Sequence, residues 1–184
     1  MEGYGLMLAP GVVALLLLVV LPAGIFDIRT RRIPNWLTVS GLLLGLALNT
    51  FLFGTSGLGH AALGFALAFV AYLLLHLLHA MGAGDVKLMA AVGGIVGPGA
   101  WFRIFALSAV LGGLFALALL IWRRSLRRTL WNVLFILNEM RHLRAPYLTR
   151  EDLDVQHPQA LTLPHGAVVA LGSLAFLAIS AVAR

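Results

Sequence analysis

From Leu6 to Phe26 the chain carries no Asp, Glu, Lys or Arg. About 20 consecutive mainly apolar residues suffice for a helix to cross a bilayer, so this stretch can span one by itself. Comparable stretches follow. Helices are expected from Pro34 or Trp36 to Phe53, Leu58 to about Met81, Ile104 to Trp122, and Leu161 to Val182. Val86–Val96 is also apolar but short, with Pro98-Gly99 behind it. A stretch of that length reads as a buried or partly inserted helix, which would place its start, with Asp85, below the membrane surface. Only 11% of the residues are charged. A soluble chain carries about a quarter, and so few charges cannot cover a water-facing surface. The expectation is an all-α integral membrane protein of about six transmembrane helices, forming one domain over residues 1–184. The first stretch is too long for the apolar region of a signal peptide and has Glu2 where basic residues belong, so it reads as a retained helix.

The joints between helices carry the usual punctuation. Pro34 suits the first turn of a helix, and Gly54-Thr55-Ser56-Gly57 reads as a turn. Between the fifth and sixth spans lies a different kind of segment, 123–160. Leu126, Leu130, Val133, Leu137 and Met140 recur there at helical steps, while Arg124, Arg127, Arg128 and Arg141 avoid that stripe. Such a pattern reads as an amphipathic helix, on the membrane surface or packed on the spans, followed by a polar loop. With the N-terminus outside, all of the 13 Lys and Arg except Arg103 and Arg184 fall on the cytoplasmic side. The positive-inside rule therefore favours that orientation, with 27–35, 82–87 and 123–159 cytoplasmic.

Several chemistries are set aside. There is no cysteine, hence no disulfide, thiolate metal site or thiol nucleophile. The net charge of +6 comes from short basic runs between apolar segments, which read as topology signals, so no nucleic-acid partner is expected. His76 and His79 share a helix face but lack a third ligand, and no metal is assigned. Trp36, Trp101, Trp122 and Trp131 read as interfacial anchors.

Among the seven acids, Asp27 and Asp85 each abut a long apolar stretch. An ionisable group at membrane depth is costly and is a functional candidate by default. In the orientation above both lie at one face. Two adjoining carboxyl groups can share a proton: one draws a proton from water while the other protonates a carbonyl oxygen. The simpler roles are a helix-end charge paired with Arg29 or Arg31 for Asp27, and a helix cap for Asp85. Gly82 and Gly84, just before Asp85, would let a neighbouring helix or an extended substrate approach the carboxyl group. Asp27 ends a helix and Asp85 begins one, so helix dipoles alone would leave the shared proton on Asp27.

These residues form motifs. Asp27-Ile28-Arg29 with Ile33-Pro34-Asn35, and Gly82-Ala83-Gly84-Asp85-Val86-Lys87-Leu88, resemble the two catalytic motifs of the prepilin peptidases, the type IV leader peptidase family. Leu163-Pro164-His165-Gly166 resembles the start of their last helix, where an aromatic is commoner than His165. The resemblance implies Gly-x-Gly-Asp aspartic protease architecture, with Asp27 and Asp85 catalytic. Gly82, Gly84, Lys87, Arg29, Pro34, Asn35 and Pro164 would be supporting or substrate-binding residues. It implies cleavage of prepilin or pseudopilin leader peptides at the cytoplasmic face of a bacterial inner membrane, after a glycine and without a cofactor. The chain looks like the short, peptidase-only type of the Flp and tight-adherence pilus systems, without methyltransferase activity, with the archaeal preflagellin peptidases nearby. The competing classes are a proton-coupled small transporter and a non-catalytic scaffold of a secretion system.

Overall fold

The computed structural model describes residues 9–78, 81–122, 131 and 163–182. Every element in them is helical: α1 Pro10–Thr30, α2 Asn35–Leu77, α3 Ala83–Trp122 and α4 His165–Val182. Each is long and apolar enough to cross a membrane. Large apolar side chains such as Leu18, Leu43, Phe51 and Phe102 face outward, which suits lipid and not water. The all-α expectation therefore holds. The amphipathic segment expected over 123–160 lies outside the described residues, except for Trp131.

α2 and α3 are each two helical halves, and the chain folds back between the halves at a single glycine. In α2 the break is Gly54, at φ 65° and ψ −149°. In α3 it is Gly97, at φ 76° and ψ 174°. That region of backbone space is essentially reserved for glycine. A continuous helix would separate residues 49 and 57 by about 12 Å. Instead, a Cβ on Gly57 would run into the Asn49 carbonyl, so the chain reverses at Gly54. Likewise Gly64 packs on Gly93 and Gly97, yet Tyr72, two turns further on, meets Phe105 at 5.9 Å. A straight α3 would carry Phe105 the opposite way, so the chain reverses at Gly97 too. The expected turn at 54–57 shrinks to one residue, and helix resumes at Pro98, well before Ile104.

The segment 83–96 forms the centre of the bundle. From Leu88 to Gly97 every residue is buried, as befits a helix that is apolar all round. Small residues let its neighbours come close. Gly64 and Gly93 meet backbone to backbone, and a Cβ on Gly45 would reach Ile95 at 2.8 Å. Close approach through small residues is the usual packing mode between membrane helices. On the far side, α4 lies against α1 through Gly24 and against α3 where Gly172 meets Ser108. Trp101 departs from its expected role. It is buried and stacks on Phe105 at 5.8 Å, so it packs the bundle, whereas Trp36, Trp122 and Trp131 are exposed.

The reversal at Gly97 leaves carbonyls without helical donors, since Pro98 has no N–H. Buried Asn49 supplies a replacement. Its Nδ2 donates to Ile95 O at 3.0 Å, to Gly45 O at 2.8 Å and, more weakly, to Gly94 O at 3.5 Å. Asn49→Leu should therefore destabilise the protein by about 1–3 kcal/mol, the cost of a buried polar group left unpaired. Thermal unfolding in detergent checks this. Thr50→Ala, which removes only a bond to Leu46 O within one helix, should shift the transition much less.

Candidate active site

Asp27 lies in the last turn of α1 and faces inward, only 8% exposed. The helix ends at Arg31, whose left-handed backbone (φ 54°) lets its N–H close on the Asp27 carbonyl at 3.0 Å. That cap folds residues 31–33 back across the helix end. Pro34 then starts α2: its carbonyl accepts the N–H groups of Leu37 and Thr38.

Asp85 lies in the first turn of α3. Its Oδ2 accepts the Gly82 N–H at 3.2 Å, while the Gly82 carbonyl accepts the Asp85 N–H at 3.1 Å. The acid thus makes its half of a capping box from the third helical position, while the Gly82 backbone carbonyl closes the first turn. Asp85 is therefore not the N-cap residue expected of it but caps the Gly82 N–H from inside the first turn, which engages one carboxyl oxygen. The corresponding donor for Asp27 comes from a distant part of the chain. The N–H of Gly166, free at the start of α4, donates to Asp27 Oδ2 at 2.7 Å.

The two carboxyl groups face one polar cavity of about 380 Å³, lined by Asp27, Arg31, Arg32, Ile33, Asn35 and residues 82–85 and 87. They are near enough for Asp85 to feel the charge of Asp27. Lys87 Nζ donates to Asn35 Oδ1 at 2.9 Å, tying the start of α3 to the start of α2. One oxygen of each acid is held by a backbone N–H.

The model of the type IV leader peptidase family matches residues 13–117, more than half of the chain, including Asp27, Asp85 and both reversals. The chain belongs to this family. No curated protein and no solved structure matches it.

The residues expected at a leader peptidase site are partly gathered here. Asp27, Asn35, Gly82, Gly84, Asp85 and Lys87 line the cavity. Arg29 is exposed and does not line it. At about 100° per residue it points away from the face that Asp27 presents. Arg31 and Arg32 take that place because of the turn at Arg31, which no motif announces. Pro34 and Pro164 do not line the cavity either. Pro164 starts α4 as Pro34 starts α2, accepting the Ala167 and Val168 N–H groups, and it borders an apolar groove with Phe115 and Trp122. Among the described residues no cluster of three potential metal ligands occurs. His79 lies outside them, and His76 Nδ1 is bonded to Met81 O.

The glycines need a correction. A Cβ on Gly82 or Gly84 would meet its nearest neighbour at 3.4 or 3.6 Å, which is ordinary contact. Among the described residues no neighbouring helix crowds them. The crowded glycine is Gly166, where a Cβ would lie 3.0 Å from Asp27 Cβ and 3.2 Å from Asp27 Oδ2. Gly166→Ala should therefore cost about 1–3 kcal/mol through overpacking and displace the Asp27 carboxyl group. Gly84→Ala should be close to neutral for folding. Comparing the two by thermal unfolding in detergent tests this ordering.

Proposed function

We propose that the protein is a membrane aspartic endopeptidase that cleaves the leader peptides of prepilin or pseudopilin substrates, with Asp27 and Asp85 as its dyad. The observation that carries this reading is the pairing itself. Two acids 58 positions apart, flanked by apolar helix, face one cavity, and each is fixed through one oxygen by a backbone N–H. One carboxylate takes a proton from water as that water attacks the scissile carbonyl. The partner carboxyl group protonates the carbonyl oxygen. Collapse of the tetrahedral intermediate breaks the C–N bond, and the leaving amine takes up a proton from the dyad. The basic rim of Arg31 and Arg32 suits a peptide whose carbonyls and acidic groups lie over the cavity. Both acids stand at helix ends at one end of the bundle, which suits a substrate arriving from an aqueous face better than a proton relay through the middle.

In this reading the halves of α2 and α3 each cross the bilayer, giving six crossings with α1 and α4. The N-terminus lies outside, and the cavity opens to the cytoplasm of a bacterial inner membrane. The distribution of Lys and Arg supports that orientation. The proposed assignment covers cleavage without methyl transfer.

Two experiments test it. Asp27→Asn and Asp85→Asn should each lower turnover of a prepilin peptide by about 10²–10⁴-fold, the range for loss of a general acid or base, while the protein stays folded in detergent. Turnover near that of the wild type in either variant would exclude the dyad. For orientation, the natural absence of cysteine allows single probes at Ser40 and Thr55, near opposite ends of the first half of α2. Ser40→Cys should lie on the cytoplasmic half and Thr55→Cys should label from outside. Labelling of Thr55→Cys from the cytoplasm would reverse the topology.

A further inference from the structure

Tyr72 and His76 are one helical turn apart near the end of α2, and so share a face. Tyr72 is buried, 1% exposed, and its ring stands edge-on to Phe105. Its hydroxyl is 3.2 Å from His165 Nε2, a hydrogen bond whichever atom donates. His165 immediately precedes Gly166, whose N–H holds Asp27. His76 Nδ1 lies 2.8 Å from the Met81 carbonyl oxygen. A carbonyl only accepts, so Nδ1 is the donor. The Met81 carbonyl and the Gly82 N–H belong to one planar trans peptide unit and point in opposite directions. Holding the oxygen therefore aims the N–H, and that N–H ends on Asp85 Oδ2.

We propose that Tyr72 and His76 are positioning residues, each setting one of the two backbone N–H groups that hold Asp27 and Asp85. Tyr72 acts through His165 on the first turn of α4, and His76 acts through the peptide unit between Met81 and Gly82. A single helix face thereby fixes the relative placement of two acids carried on two other helices. The catalytic consequence rests on the dyad proposed above, whereas the structural relay does not. Neither residue lines the cavity, so their loss should change the rate of the chemical step and not substrate capture.

The test uses the full chain in detergent and two readouts. The sequence contains one Met-Gly pair, Met81-Gly82, and one His-Gly pair, His165-Gly166. Carbonyl-labelled Met or His combined with amide-labelled Gly therefore gives a single resolved NMR signal for each N–H. His76→Leu should shift the Gly82 amide upfield and leave Gly166 in place. Tyr72→Phe should do the converse. In the cleavage assay each variant should lower kcat about tenfold with KM unchanged, the effect of losing one hydrogen bond's worth of positioning. His76→Asn, which keeps a donor to the Met81 carbonyl, should recover most of the rate. Shifts of both amides together, of neither, or a change confined to KM would overturn the proposal. So would a His76→Asn variant as slow as His76→Leu. If the wild type cleaves nothing while the amide pattern appears as stated, the dyad assignment fails and the relay stands. If cleavage is normal and the amide pattern is absent, the relay fails and the dyad stands.

Discussion

A helix of residues 83–96 reaches about 21 Å, and the hydrocarbon core of a bilayer is about 30 Å thick. This shortfall at the centre of the bundle governs the rest of the structure. One end of the segment must lie inside the apolar slab, with its free backbone groups out of reach of bulk water. At the Gly97 end, buried Asn49 donates to the carbonyls that lack a helical donor. At the Asp85 end, the capping exchange with Gly82 engages the first-turn groups. The surrounding helices are longer and close over the segment through Gly45, Gly64 and Gly93, leaving a polar recess over its start. The recess is therefore the consequence of a short central helix enclosed by long ones.

The same geometry explains what could be read in the sequence. Asp27 and Asp85 stood out because carboxylates beside long apolar stretches are costly, and that cost does not depend on how the helices are connected. The short central helix was equally visible, since its length is a count along the chain. The two reversals were visible only as glycine and proline signals, because composition marks a break without giving its angle. The Arg31 turn illustrates the limit. A single residue in a left-handed conformation exchanges Arg29 for Arg31 and Arg32 at the cavity, and nothing local to Arg31 distinguishes it from its neighbours. Gly166 was hidden for a different reason. Its importance is a contact with a residue 139 positions away, so it had meaning only once α1 and α4 were known to touch. Tyr72 and His165, 93 positions apart, were obscured in the same way. Trp101 was misplaced because an aromatic near an expected span end suits an interface and a core equally well.

Long-range contact also alters the electrostatic argument that helix ends suggested. Taken alone, α1 presents its negative end to Asp27, and α3 presents its positive end to Asp85. That difference would assign the shared proton to Asp27. In the folded protein a second helix end enters. The start of α4 directs the Gly166 N–H at Asp27 Oδ2, so the positive end of α4 faces the same carboxyl group and offsets the end of α1. Each acid then has one backbone donor and one helix start beside it, and the helix ends no longer single out a proton holder. What still separates the two is access. Asp27 is buried beneath the first turn of α4, whereas Asp85 is only partly covered at the mouth of α3. Water entering the recess therefore meets the two acids unequally. In the proposed dyad, the asymmetry that proton transfer requires then comes from the opening of the cavity, and so from the shortness of the helix that creates it.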